Sequence, residues 1–186
     1  HAIEAFTSKN QNNNLLSQNL AVEALALLGN SIVKAVKSLK SDRVSRSNML
    51  YGSMLAGISF ANSPVAGVHA LAYPLGGKYK VSHGLSNALL LPHMIRFNMH
   101  VPATKEAYGK LAGIIFPVLE NIDDLDQRVK SFAEEFITLS KHLNLPTRLR
   151  ELNIPEKACR EMAEEAMKQE RLLVNNPKTI TIADAE

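Results

Sequence analysis

Cysteine and long apolar runs are scarce in this sequence. Cys159 is the only cysteine, so no disulfide can form within the chain and no oxidising compartment is required. The apolar run at residues 20–28 contains Glu23 and is too short to span a bilayer, and no secretory signal pattern opens the chain. We therefore expect a cytoplasmic protein with no membrane partner.

A large excess of positive or negative charge is also lacking, because the net charge is only +3. Basic side chains nevertheless recur every three residues, at Lys34, Lys37, Lys40, Arg43 and Arg46. A nucleic-acid surface would place aromatic side chains among its cations, and no aromatic residue precedes Tyr51 in this stretch. We predict a solvated face near a helix C-terminus and no nucleic-acid partner.

Helical periodicity is what the sequence has in abundance. Aliphatic residues recur at three- to four-residue steps and predict one long amphipathic helix, through Leu16, Leu20, Leu25, Leu28, Ile32, Val36 and Leu39. The next predicted helix, residues 44–62, carries small residues that allow a neighbouring helix to approach closely, namely Gly52, Ser53, Ala56, Gly57 and Ser59. We expect this second helix to be tightly packed and buried.

The rest of the chain follows the same pattern. Residues 1–9 are typical of a helix end, and further helices are predicted over 82–98, 102–116, 123–143 and 155–171. Strand-like alternation, internal repeats, low-complexity tracts and linkers are all lacking. With 46% hydrophobic residues available for a core, residues 1–186 are predicted to form a single all-α domain of roughly seven to nine helices.

Two histidines flank a Pro-x-Gly-Gly segment in the middle of the chain. In one straight helix, His69 and His83 would lie about 21 Å apart, too far to share a metal ion. Pro74 lacks an N–H, and the glycines that follow tolerate unusual backbone angles, so we predict a helix break there. His69 is then expected in the last turns of a helix that begins at residues 63–64, and His83 in the first turn of the next, so that both converge on one ion.

The residues around these histidines resemble the metal-binding signature of the iron-containing (group III) alcohol dehydrogenases. The blocks HALAYPLGG, SHG, NALLLPH and RFN follow in order between residues 69 and 98. HAIEAFTSK at residues 1–9 is similar to an earlier block of that family, and NNPK at residues 175–178 to a late one. Several separated blocks in the correct order are far more specific than one short motif. The resemblance implies the helical C-terminal domain of the dehydroquinate synthase-like type.

The resemblance also implies a metal site. The family's metal is held by one aspartate and three histidines, and the matching histidines here are His1, His69 and His83. His1 has a second interpretation, because a terminal histidine also chelates metals through its own free amine. The ligand set suits Fe(II) and would also suit Zn(II). Tyr73 lies where many members carry a further histidine, so it is a catalytic candidate that either relays a proton or simply lines the pocket.

Other candidate residues follow from their positions. Phe60, Leu71 and Leu75 are candidate pocket walls, although each suits a plain core equally well. The remaining histidines lack the matching context and are expected to be capping, surface or core residues, namely His93, His100 and His142. Cys159 has no basic partner nearby in the sequence and is expected to be a non-catalytic thiol.

Family members also carry an N-terminal nucleotide-binding domain with a Gly-Gly-Gly-Ser-type turn, which this sequence lacks. We therefore expect the chain to be truncated at both ends, with the ligand aspartate falling four residues before His1. The intact protein is expected to be a homo-oligomer that transfers hydride between a small alcohol or aldehyde and NAD or NADP, and the fragment alone to be inactive. Two alternatives stay open: a sister enzyme such as a zinc-dependent glycerol dehydrogenase or a dehydroquinate synthase, and a non-enzymatic helical interaction module. The NALLLPH and RFN blocks favour the alcohol dehydrogenases.

Overall fold

A computed structural model describes residues 1–38 and 41–186, so the predictions that fall on Leu39 and Lys40 lie outside the described residues. The described part is all-α and contains no strand, which confirms the predicted fold class. Its ten α-helices are α1 Ala2–Thr7, α2 Leu15–Lys37, α3 Arg43–Asn62, α4 Gly67–Tyr79, α5 His83–Asn98, α6 Pro102–Ile115, α7 Leu125–His142, α8 Cys159–Met167, α9 Glu170–Leu173 and α10 Ile182–Ala185.

Polar caps and prolines set several of the helix starts. The Asn14 side chain accepts the backbone N–H groups of Leu16 and Ser17 at the start of α2, at 2.9 and 3.1 Å. Asp124 accepts the N–H of Gln127 at 2.6 Å and opens α7 in the same way, while Pro102 is the first residue of α6. These residues satisfy or remove N–H groups that have no partner within the helix, so the predicted and observed starts agree closely.

The helix predicted over residues 155–171 is divided in the structure. A 3₁₀ turn at Glu156–Ala158 leads into α8, and a tight turn at residues 168–169 separates α8 from α9. The N–H groups of Lys168 and Gln169 bond to carbonyls three residues back, at Glu165 and Ala166, which tightens the chain out of α-helical geometry. Ten helices therefore stand in the described residues where seven to nine were predicted.

The helix break between the two central histidines is displaced from its predicted position. Pro74 and both glycines lie inside α4, and the break falls at residues 80–82. Lys80 adopts a left-handed conformation with φ of 56°, and the Val81 N–H bonds to the Leu75 carbonyl at 3.1 Å, which ends the helix. Pro74 and Leu75 are buried, and α4 packs against both α5 and α8, so tertiary packing maintains the helix through its breakers.

The prediction that α3 is a buried helix holds for one of its faces only. An added Cβ on Gly52 would lie 2.9 Å from the Leu28 side chain of α2, and the Ser59 hydroxyl donates to the Ser17 carbonyl at 2.7 Å. α2 and α3 thus approach closely where the small residues face α2, as predicted. The opposite face carries exposed apolar side chains, including Leu50, Tyr51, Met54 and Ile58.

α2 is long and apolar enough, by length and composition, to cross a bilayer. Core helices of water-soluble proteins also reach this length and composition, so α2 alone is weak evidence for a span. In this fold α2 packs against α1, α3 and α6. Its last turn carries Lys34 and Lys37, in agreement with the predicted cations at a helix C-terminus, whereas Arg43 and Arg46 lie in the first turn of α3. The absence of membrane and nucleic-acid partners stays a prediction.

Candidate metal centre

Three histidines from three helices converge at one point. His1 precedes α1, His69 lies in the first turn of α4, and His83 is the first residue of α5. One ring nitrogen from each lies within 4.8 Å of the others, and the ring centroids of His69 and His83 are 5.2 Å apart. His69 therefore reaches the cluster from the beginning of its helix and not from the predicted last turns, since α4 starts at Gly67.

The cluster has one buried and two exposed members. His69 is 5% exposed, whereas His1 and His83 are exposed. Partial desolvation, followed by the charge of His69, lowers the pKa of the His83 imidazole. A lowered pKa favours the neutral ring, which is the form that binds metals. Two of the three rings are therefore open to solvent.

Several neighbours hold the rings in place. Phe60 of α3 stacks on His1 with ring centroids 4.5 Å apart and planes inclined by 27°. The Asn87 amide nitrogen lies 3.2 Å from Nε2 of His83 and also donates to the His83 carbonyl at 2.9 Å, while the Asn87 side-chain oxygen is buried without a hydrogen-bond partner among the described residues. Asn87 lines a cavity of about 270 Å³ together with His1 and His69. The cavity is otherwise mostly apolar and lies between α2, α5 and α7.

Sequence reasoning missed Glu4, which is buried beside the cluster. One carboxylate oxygen accepts the backbone N–H of Val68 at 2.7 Å, and the other contacts Nδ1 of His69. The signal was present in the spacing, because residues three apart on a helix lie on one face and Glu4 follows His1 by three. Its partner His69 is 65 residues away, and no local pattern predicts that contact.

Tyr73 lies one turn after His69 on α4 but contacts a different group. Its side chain is 47% exposed, and its hydroxyl accepts from the Arg171 guanidinium at 3.4 Å. It lines a surface cavity with Lys78 and Glu161 that is separate from the cavity at the histidines. The proposed catalytic role of Tyr73 stays a prediction.

The other candidate residues lie either at the histidine cluster or at a second cavity. Phe60 contacts a cluster histidine, whereas Leu71 and Leu75 line a separate cavity between α4, α5 and α8. That separate cavity also contains Cys159 and His93. Of the histidines in the described residues, the convergent group contains only the three that the sequence singled out.

The donor set fits a divalent metal. Nε2 of His69 and Nε2 of His1 are 3.2 Å apart. Ligand nitrogens on a tetrahedral ion with metal–nitrogen bonds of about 2.05 Å lie roughly 3.3 Å apart, so the observed spacing needs little adjustment. Imidazole nitrogens are good ligands for iron, zinc and other first-row metals.

Comparisons with known proteins give consistent results. Residues 1–186 match the C-terminal domain of the Fe-containing alcohol dehydrogenase family. Long-chain-alcohol dehydrogenase 1 of Geobacillus thermodenitrificans is 38% identical over 186 residues, which cover 99% of this chain and 45% of the relative. The 1,3-propanediol dehydrogenase of Klebsiella pneumoniae is 35% identical over 178 residues, covering 96% of this chain and 44% of the relative.

Solved structures agree with the sequence matches. The crystal structure of a 1,3-propanediol oxidoreductase superposes with a TM-score of 0.90 at 32% identity, covering 100% of this chain and 47% of the other. An alcohol dehydrogenase from Oenococcus oeni superposes with a TM-score of 0.87 at 26% identity, covering 98% of this chain and 46% of the other. The chain thus spans a little under half the length of the relatives it matches.

Proposed function

The chain belongs to the iron-containing alcohol dehydrogenase family, and on that premise we propose that it is the metal-binding helical domain of a metal- and NAD(P)-dependent alcohol dehydrogenase. The observation that carries the proposal is the convergence of His1, His69 and His83 within 4.8 Å. The family resemblance adds an aspartate ligand from a preceding segment and a separate nucleotide-binding domain.

Each residue of the site has a distinct part in the proposed reaction. Fe(II) or Zn(II) held by His1, His69 and His83 would supply a Lewis acid for the alcohol or carbonyl oxygen, and NAD or NADP would supply the hydride acceptor or donor. His69 anchors the site because it is buried, and Phe60 orients His1 through ring stacking. His83, which is exposed, would be the third histidine ligand. Tyr73 keeps the two roles expected from the sequence, a proton path through its hydroxyl or a place in the pocket wall, although in this chain it lines a cavity separate from the one at the histidines.

The proposed substrate is a small alcohol or aldehyde. The named relatives are a long-chain-alcohol dehydrogenase and a 1,3-propanediol dehydrogenase, so alcohols of different length are used within the family. We further propose a cytoplasmic homo-oligomer without nucleic-acid or membrane partners. In this proposal the helical domain provides the metal and the other domain provides the nicotinamide, so both are needed for turnover.

Two substitutions test the site in the protein that carries residues 1–186. His83→Ala is expected to abolish stoichiometric metal binding and nearly all turnover, because it removes a ligand and opens the coordination sphere. Tyr73→Phe is expected to keep the metal and to slow turnover by no more than the roughly 10²- to 10⁴-fold worth of a proton path. Elemental analysis and turnover rates measure both effects.

His142→Ala is the matched control, because His142 is an exposed histidine in the last turn of α7. It should keep both metal and activity. Normal metal content and turnover in His83→Ala would show that the assigned site is wrong. Loss of metal in Tyr73→Phe would make that tyrosine a ligand.

A further inference from the structure

We propose that Glu4 is a positioning residue that holds His69 in the tautomer whose Nε2 faces the metal, an inference that rests on the proposed function. Glu4 lies on α1 and is 7% exposed. Both of its carboxylate oxygens are used, one by the Val68 N–H and the other by Nδ1 of His69. A single side chain of α1 therefore contacts both the backbone and the histidine of the first turn of α4.

The contact with Glu4 determines which ring nitrogen of His69 carries hydrogen. An ionised carboxylate only accepts hydrogen bonds, so Nδ1 must be the N–H donor. In the neutral ring Nε2 then keeps its lone pair, and Nε2 is the atom that lies 3.2 Å from Nε2 of His1. The ring thus presents its acceptor nitrogen to the point where the histidines converge. Fixing the tautomer of a metal-binding histidine in this way also increases the basicity of the ligand nitrogen.

The contact with the backbone determines where the ring is placed. The first N–H groups of a helix lack partners within the helix, and Ala66, which precedes α4, has no side chain able to cap them. Glu4 supplies the missing acceptor from another helix, and its negative charge is favourable at a helix N-terminus. Because His1 immediately precedes the helix that carries Glu4, this bond links the start of α4, which carries His69, to the segment that carries His1.

The buried carboxylate of Glu4 needs partners inside the protein. A buried carboxylate is unfavourable unless it is paired. Within the described residues, the only ion-pair partner of Glu4 is His69, and that partner is charged only when protonated. A divalent ion held by Nε2 of His69 would add positive charge beside this pair.

The first arm of the test reads the tautomer in the metal-free protein that carries residues 1–186. Nitrogen-15 NMR of the histidine rings should find hydrogen on Nδ1 of His69. In Glu4→Gln, the single amide oxygen is expected to accept from Val68, which leaves the amide NH₂ to donate to Nδ1 and moves the hydrogen to Nε2. Hydrogen on Nε2 in the wild-type protein, or an unchanged tautomer in a folded Glu4→Gln variant, would overturn the proposal. The wild-type measurement needs no variant to fold.

The second arm measures Co(II) affinity by visible absorption. Glu4→Gln should weaken Co(II) binding by about 10- to 100-fold, the range found when partners of metal-binding histidines are removed. Glu23→Gln makes the same chemical change at an exposed position of α2 and should bind Co(II) as the wild-type protein does. Equal affinity in Glu4→Gln and wild type overturns the role of Glu4 and leaves the metal site standing. Failure of the wild-type protein to bind Co(II) refutes the proposed function, while the NMR arm still decides the role of Glu4.

Discussion

Two buried asparagines join sequence blocks that lie far apart along the chain. Asn98, from the RFN block, and Asn176, from the NNPK block, exchange side-chain hydrogen bonds of 3.1 and 2.8 Å in the interior. Asn175 donates to the carbonyls of Val65 and Arg171 at 3.1 and 3.0 Å. The sequence identified both blocks through their resemblance to a family. Their pairing became visible only in the structure, because it joins residues 78 positions apart.

Tyr108 gives a prediction about stability at high pH. Burial, as the largest cause, raises its pKa to about 12, while Asn98 donates a 3.4 Å hydrogen bond that opposes the rise. In the unfolded chain the tyrosine ionises near pH 10, so the unfolded state binds fewer protons above that pH and stability falls as pH rises from about 10 to 12. The loss attributable to Tyr108 should reach about 2–3 kcal/mol, the equivalent of a shift of about two pKa units.

The prediction is checked by denaturant unfolding of wild type and Tyr108→Phe between pH 8 and pH 12. The free energy of unfolding of the variant should fall less steeply above about pH 10, since phenylalanine has no proton to release. The comparison cancels the titration of the other tyrosines and the lysines. Parallel curves for the two proteins would mean that the hydroxyl of Tyr108 is not held neutral by burial.

At the scale of helices, boundaries with polar caps were predictable and the central break was not. The starts of α6 and α7 lie within two residues of their predicted positions, because a proline or an aspartate acts locally. Pro74 also acts locally, but α4 continues past it because the surrounding contacts of a buried helix outweigh one lost hydrogen bond. The sequence thus predicted that His69 and His83 would meet, although it placed the break several residues too early.

Substituting two glycines of α3 by alanine is expected to change the stability of the protein in opposite directions. A Cβ at Gly52 would lie 2.9 Å from the Leu28 side chain and 3.2 Å from the Ala24 carbonyl oxygen, so Gly52→Ala should force the helices apart and cost about 1–3 kcal/mol. A Cβ at Gly57 has nothing within 4 Å among the described residues. Gly57→Ala should therefore stabilise the protein by roughly 0.5–1 kcal/mol through helix propensity alone.

Thermal or urea unfolding of the two variants measures both effects, and each variant is the control for the other. Both changes add one methyl group to the same helix, so they differ only in what the methyl group meets. Equal changes in stability at the two positions would contradict the close approach of α2 and α3 at Gly52. A destabilising Gly57→Ala would mean that this face of α3 is covered in solution.

At the scale of the whole molecule, the sequence predicted the all-α class and the three histidines but not Glu4, the buried carboxylate that contacts His69. Periodicity and motif order depend on near neighbours along the chain, whereas the contact of Glu4 with His69 depends on how α1 and α4 pack. The pattern of polar and apolar residues predicts individual helices, whereas the contacts between helices depend on how the whole chain packs.

The division of labour proposed for the enzyme leads to a prediction for residues 1–186 expressed alone. The chain spans 45% of its long-chain-alcohol dehydrogenase relative and lacks the glycine-rich turn expected for nucleotide binding. Hydride transfer requires the nicotinamide to be held against the reacting carbon, so the chain alone should show no turnover with a primary alcohol, NAD and Fe(II). NADH absorbance measures turnover, and the protein carrying both domains in the same assay is the positive control. Turnover above background by the purified chain would refute the proposed separation of metal and nicotinamide between two domains.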